Sequence, residues 1–237
     1  MSTKPVKISC KVKHLKKLTP QIFELAFETE PEVSFIAGQF ISILIPNAGP
    51  KGRNLRRAYS FASSPDVRPF ELCIQIIEDG PGTQYLSQLK PGECFEAQAP
   101  FGKFVYESTP ERRVCFISTA TGLAPFRSIL ISKSYLAQPA KEVSCLFGIR
   151  HLSEMLYEAD LSNRDDIQWV PCITKPEDNW DGFKGRVTDY LRTLPDSYPW
   201  KETDFYLCGN GAMIKEVKEI LKEKGLSKEQ IFHEAYF

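Results

Sequence analysis

Residues 113–136 read RVCFISTATGLAPFRSILISKSYL, and this stretch decides the fold. RVCFIS is a compact apolar run of strand type, TATG is a glycine-containing turn, and residues 125–136 are helix-like. A strand opening through a turn into a helix is the repeating unit of a parallel sheet with crossover connections. The pattern continues downstream. Strands are expected at residues 143–147, 167–173 and 204–208, and helices at residues 152–161, 187–194 and 212–224. Upstream the pattern differs. Residues 7–15, 22–27, 39–45, 70–77 and 94–99 read as short strands, separated by turn chemistry such as DGPG and KPGE, which suggests an antiparallel barrel or sandwich. The change falls near residues 107–111. The sequence therefore predicts two domains, an antiparallel β-barrel over residues 1–108 and an α/β parallel-sheet domain over residues 109–237.

Composition narrows the function classes. The 237 residues carry 30 Lys+Arg against 30 Asp+Glu, which argues against a dedicated nucleic-acid binder. No apolar stretch approaches the roughly 20 residues of a membrane span, and the basic start lacks a signal-peptide core. Seven cysteines without such a signal lead us to expect reduced thiols and a cytoplasmic protein. They stand at 10, 73, 94, 115, 145, 172 and 208, never closer than 21 residues, so no tight metal-binding pair exists and no metal is expected. Cys10, Cys73, Cys145 and Cys172 sit among aliphatic residues and read as core.

Four clusters carry chemistry. Arg57-Ala58-Tyr59-Ser60 places a cation and an aromatic ring on one strand face and a hydroxyl on the other; an ordinary edge strand reads the same way. Gly80-Pro81-Gly82-Thr83-Gln84-Tyr85-Leu86 leads into a helix expected at residues 83–89, whose free N–H groups suit a phosphate, although a hairpin turn with an N-cap threonine also fits. Residues 118–125, STATGLAP, follow the apolar strand at the point where an open parallel sheet binds nucleotide, but they carry a single glycine. Residues 206–213, YLCGNGAM, form another strand-to-helix turn, with Cys208 at the strand tip.

In this order the clusters resemble the ferredoxin–NADP reductase superfamily over nearly the whole chain. Arg57, Tyr59 and Ser60 match its arginine-x-tyrosine-serine flavin motif, and Gly80, Thr83 and Leu86 its flavin-phosphate motif. Thr121 to Pro125 match its threonine-glycine-x-alanine-proline turn. Residues 147–150 (FGIR) resemble its next strand end, residues 185–188 (GRVT) its glycine-arginine step, and Cys208, Gly209 and Met213 its cysteine-glycine-x-x-x-methionine motif. One departure stands out. Ala120 replaces the first glycine of the family turn, and alanine resists positive φ, so an altered turn is expected.

The resemblance implies bound FAD and a nicotinamide dinucleotide, NADP with NAD as the alternative. It implies that Arg57 neutralises flavin phosphate, Tyr59 stacks on the isoalloxazine and Ser60 reaches its reactive edge, with Ala58 and Ile76 beside the flavin. Gly82, Thr83 and Gln84 would hold the pyrophosphate. Thr121, Gly122, Pro125, Arg150, Lys175, Arg186, Gly209 and Met213 would line the dinucleotide, and Cys208 would lie near the nicotinamide. Ser60, Cys208 and Glu234 are the implied catalytic residues, Glu234 as a proton relay. Tyr236 or Phe237 would cover the flavin; a packed tail is the plain alternative. Lys175 and Arg186, with Lys184 nearby, lean the reading toward NADPH.

The implied activity is that of an FAD-dependent oxidoreductase passing electrons between NAD(P)H and a separate one-electron carrier such as ferredoxin or flavodoxin. No cysteine set for a fused iron–sulfur domain or for a dihydroorotate-dehydrogenase-type subunit is present, so an external acceptor is expected; a monomer is expected as well. Basic clusters at Lys4, Lys7, Lys11, Lys13, Lys16 and Lys17, and at Lys51, Arg53, Arg56 and Arg57, suit an acidic carrier; solvated charge is the other reading. Three further possibilities stay open: the reductase component of a multicomponent oxygenase, a free-flavin reductase, and a non-catalytic flavin-binding or electron-transfer subunit.

Overall fold

The computed structural model describes residues 4–236. The chain forms two compact units. One runs through Tyr106 and takes in Ala124–Tyr135; the other comprises Glu107–Leu123 and the residues from Leu136 onward.

In the first unit, β1 (Val6–Thr19), β2 (Ile22–Glu30), β3 (Phe40–Ile45), β4 (Leu55–Ser60), β5 (Phe70–Gln75) and β6 (Cys94–Phe101) form one sheet in the order β4-β3-β6-β1-β2-β5. All its pairings are antiparallel. Ile8, Cys10 and Val12 point inward along β1 while Lys7, Ser9 and Lys11 point out, the two-residue period of a half-buried strand. The inward faces meet in an aromatic core in which Phe27 packs edge-on against Phe70 and Phe95. Phe61, just past β4, bridges to Leu72 of β5, so the outer strands curl toward each other. The helix α1 (Pro81–Ser87) starts two residues earlier than the sequence suggested, because proline suits a first helical turn.

The second unit is built on six parallel strands: β7 (Arg113–Thr119), β8 (Glu142–Ile149), β9 (Ile167–Ile173), the short β10 (Phe183–Lys184), β11 (Thr203–Asn210) and β12 (Ile231–Tyr236). Their order is β10-β9-β8-β7-β11-β12. After β7 the chain forms α2 (Ala124–Leu130) and α3 (Lys133–Ala137), which through Tyr135 belong to the first unit; α4 (Glu158–Leu161), α5 (Val187–Thr193) and α6 (Gly211–Glu223) run between the later strands. Val187, Leu191, Val217 and Leu221 of α5 and α6 share one core with Cys115, Ile117 and Leu207 of the sheet. No helix among the described residues is long and apolar enough to cross a membrane.

Two expected helices need correction. The single helix read over residues 125–136 is two, because the Ser132 hydroxyl accepts the Tyr135 N–H and starts a new turn. The helix read over residues 152–161 is a 3-10 turn at Leu152–Glu154 followed by the four-residue α4, since Tyr157 stands at φ +50° and interrupts the run. The strand β12 was not foreseen as a strand.

One buried polar cluster fastens the start of the second unit. Asp204 on β11, only 5% exposed, accepts from Arg112 Nε at 2.8 Å and from Ser108 Oγ at 2.7 Å. The Tyr206 hydroxyl accepts the Glu107 N–H beside it. Asp204→Asn keeps the shape but removes the charge-assisted bonds to Arg112. It should cost about 2–3 kcal/mol in urea unfolding with an unchanged m-value; a variant as stable as the parent would show the cluster to be inert.

Candidate functional site

On the first unit the site is a glycine roofed by two side chains. Arg57 and Tyr59 lie on one face of β4, as their spacing predicted, and Ser60 is buried on the other. A Cβ at Gly82 would stand 2.9 Å from Tyr59 Oη and 3.0 Å from Arg57 Cγ. Arg57, Tyr59 and Gly82 are therefore brought together, and only glycine lets α1 approach β4 so closely. Burial pushes the Tyr59 phenol up to about 12, against the opposing pull of Arg57, so it stays a neutral hydrogen-bonding ring. Thr83 has a different task from the expected one. Its hydroxyl accepts the Ile77 N–H and lies 3.0 Å from the Gly80 carbonyl, fixing the loop before α1. The Gln84 amide donates to the Glu78 carbonyl and does the same. What this corner offers an anion is the Arg57 guanidinium and the first-turn N–H groups of α1. Ala58 and Ile76 are exposed nearby in the chain.

On the second unit the topology locates the site. From β7 the chain moves outward through β8 and β9 to β10, then returns so that β11 lies on the other side of β7. Beyond the carboxyl ends of the strands at such a switch point, an open α/β sheet has its ligand crevice. The turn Ala120–Leu123 follows β7 there, and Cys208-Gly209 end β11 beside it. A Cβ at Gly122 would stand 2.4 Å from the Cys208 carbonyl oxygen, and one at Gly209 2.4 Å from Thr119 Oγ1. Gly209 itself takes φ +131°. The two turns thus lie backbone to backbone, with space that a side chain would fill.

Cys208 is fully buried, and burial with the nearby Glu234 carboxylate holds its thiol far above the usual range. The nearby Tyr236 side chain opposes that shift. Glu234 is the register partner of Cys208, because the chain end is the parallel strand β12 and not a loose tail. The segment IFHEAY does not alternate, so its sequence carried no strand signal. Phe237 lies outside the described residues. Met213 packs into the helix–sheet core and supports the turn from behind. Pro125 is buried in the first turn of α2 and Thr121 lies partly exposed in the turn before it.

Arg150, Lys175 and Arg186 follow the carboxyl ends of β8, β9 and β10, and Lys184 ends β10. The Lys175 N–H bonds the Arg150 carbonyl and the Gly185 N–H the Ile173 carbonyl, so these cations follow one sheet edge. All four are exposed.

A curled antiparallel sheet with a cation and ring over a glycine, followed by a parallel sheet with a glycine-lined switch point, is the architecture of FAD- and NAD(P)-dependent oxidoreductases. Residues 9–106 match the model of an oxidoreductase FAD-binding domain, and residues 116–219 that of an oxidoreductase NAD-binding domain. The chain is 30% identical over 234 residues to ferredoxin--NADP reductase B of Sorangium cellulosum, covering 94% of each. It is 29% identical over 238 residues to the phenol hydroxylase P5 protein of Acinetobacter pittii, covering 94% of this chain and 63% of that one. The solved ferredoxin NADP+ reductase of Neisseria gonorrhoeae, with bound FAD and NADP, shares the fold at TM-score 0.83 and 23% identity over 100% of both chains. The chain belongs to the ferredoxin–NADP reductase family. It is an FAD- and NAD(P)-binding oxidoreductase.

Ala120 corrects one expectation. The alanine does not reshape the turn away from positive φ but is held there, at +47°. That conformation costs a non-glycine residue about 1 kcal/mol. Ala120→Gly should therefore raise stability by about 0.5–1 kcal/mol, the gain being trimmed by the greater freedom of glycine in the unfolded chain. A fall in the thermal midpoint would contradict the strain.

Proposed function

We propose that the chain carries electrons from NADPH, through FAD, to a separate acidic one-electron carrier of the ferredoxin or flavodoxin kind. The observation that carries this reading is the pairing of the Arg57–Tyr59–Gly82 cradle with the Gly122–Cys208–Gly209 turn in one chain. Bound FAD supplies the step from two-electron to one-electron chemistry that side chains lack. Arg57 and the first-turn N–H groups of α1 hold its phosphates, and Tyr59 lies against its ring system. The backbone of Thr121 and Gly122 takes the dinucleotide. Cys208, kept as a neutral thiol, gives the nicotinamide a small, uncharged, water-free floor, and Glu234 and Tyr236 cover it from β12. Ser60 completes the catalytic set. We assign FAD binding to residues 1–108 and dinucleotide binding to residues 109–237; the compact units divide instead after Tyr106, with Ala124–Tyr135 in the first.

Arg150, Lys175, Lys184 and Arg186, gathered along one sheet edge, favour NADPH, whose additional phosphate is dianionic. Anaerobic titration tests the reading: the yellow holoprotein should bleach with NADPH at lower concentrations than with NADH. Cys208→Ala should retain FAD yet slow stopped-flow bleaching by about tenfold or more, the scale on which displacing a reacting group by a fraction of an ångström acts. Bleaching at the parent rate would remove Cys208 from the mechanism, and no bleaching by either nucleotide would leave a flavin-binding subunit.

The carrier surface follows from charge. The lysines of β1 are interleaved with acids: Lys13 pairs with Glu28 at 3.1 Å, Lys11 lies opposite Glu28, and Ser9 lies opposite Glu30 and Glu96. Residues 33–65, by contrast, contain no Asp or Glu, and Lys51, Arg53 and Arg56 stand exposed on the β3–β4 hairpin. We assign carrier docking to this hairpin and not to the chain start. Lys51→Glu with Arg53→Glu should lower kcat/KM for an acidic ferredoxin about tenfold at low salt and little at high salt; equal rates at all salt concentrations would overturn the assignment. The likeness to the phenol hydroxylase P5 protein favours a second reading, in which the acceptor is an oxygenase component; offering both kinds of acceptor to the reduced protein separates the two.

A further inference from the structure

The helix α2 follows the dinucleotide turn in sequence, yet it packs with the first unit. We infer that Arg127 and Ser128 of α2 are positioning residues for the flavin strand β4. They clamp the backbone that leaves Ser60. The Arg127 side chain, 13% exposed, donates from Nη1 to the Ala62 carbonyl at 2.9 Å and to Glu71 Oε2 at 2.7 Å. Ser128 Oγ, fully buried, donates to the Ser63 carbonyl at 2.6 Å. These two carbonyls belong to the residues that curl β4 back toward β5. In the same seam Phe61 bridges Leu72, the Ala62 N–H bonds the Glu71 carbonyl, and Ser63 Oγ accepts the Glu71 N–H. The Lys133 N–H adds a bond to Asp66 Oδ2 from the start of α3.

Why this seam needs outside help is evident from its backbone. Past Ser60 the pairing of β4 with β3 ends and the chain meets β5 through one isolated bridge, so the Ala62 and Ser63 carbonyls have no ladder partner. Buried carbonyls must find donors elsewhere. A guanidinium supplies two bonds from a rigid planar group, which a more mobile ammonium does not reproduce. Tyr59 and Ser60 are two to four residues from the clamped carbonyls, so losing the clamp loosens the side chains that meet the flavin. The inference rests on β4 being the flavin strand.

FAD titration of the apoproteins, monitored by quenching of flavin fluorescence and by the visible band of the bound form, tests it, with thermal unfolding of each apoprotein alongside. Arg127→Ala should raise the FAD Kd about tenfold or more and shift the visible band. Arg127→Lys should fall between this variant and the parent, and Glu71→Gln should weaken binding less, because the Ala62 bond survives. Ser128→Ala, the mildest change, should raise Kd about threefold and keeps the test alive if Arg127→Ala does not fold. Variants that melt earlier yet bind FAD with the parent Kd and spectrum would make the clamp merely structural and overturn the inference. A parent protein that takes up no FAD would overturn the flavin reading itself, a different result seen before any variant is compared.

Discussion

The contact on which the dinucleotide half depends is one of backbone with backbone. At the switch point of the parallel sheet, the turn after β7 meets the end of β11 so closely that a single methyl group at Gly122 would stand 2.4 Å from a carbonyl oxygen. Much else at this end of the sheet conforms to that approach. Gly209 takes a positive φ to make room, and Thr119 Oγ1 fills the gap and accepts the Asn210 N–H. Asn210 then caps α6 by accepting the Ala212 N–H. Ala120 is held in a left-handed conformation that alanine disfavours, and such strain persists where the surroundings over-determine the backbone.

The flavin half uses the same device with side chains in place of carbonyls. Gly82 is roofed by Arg57 and Tyr59, so α1 presents backbone N–H groups where a larger residue would push it away. The side chains that sequence motifs pick out here divide their work. Arg57 remains available to an anion, whereas Thr83 and Gln84 are consumed in holding the loop that leads into α1. Cys208 and Met213 divide similarly, one at the carboxyl edge of the sheet and one within its core. A motif marks residues the arrangement needs, without saying which of them touch a ligand.

Much of this was legible in the sequence, because strand period and turn chemistry are local. The alternation in β1, the apolar run of β7 and the GPG and ATG turns each report on a few neighbouring residues, and those assignments stand. Two readings failed where local signals were outweighed. Ser132 is an N-cap inside what looked like a continuous helix, and Tyr157 breaks a helical run by taking positive φ, which no propensity for tyrosine foretells. Residues 231–236 carry no period-two alternation and form a strand because β11 offers them an edge.

By itself the sequence determined the class of each half, the order of the chemical motifs and the family, since these depend on residue types at short spacing. Tertiary structure alone decided three things. It set Lys11, Lys13 and Lys16 of the basic start beside the carboxylates of Glu28 and Glu24 on β2, through strand register. It set Glu234 and Tyr236 beside Cys208 by adding β12 to the sheet. And it turned α2 back onto the first unit, where Arg127 and Ser128 satisfy carbonyls some 65 positions away in the chain. A buried carbonyl without a ladder partner must be met by whatever donor the fold brings near, and a one-dimensional pattern carries no record of that demand.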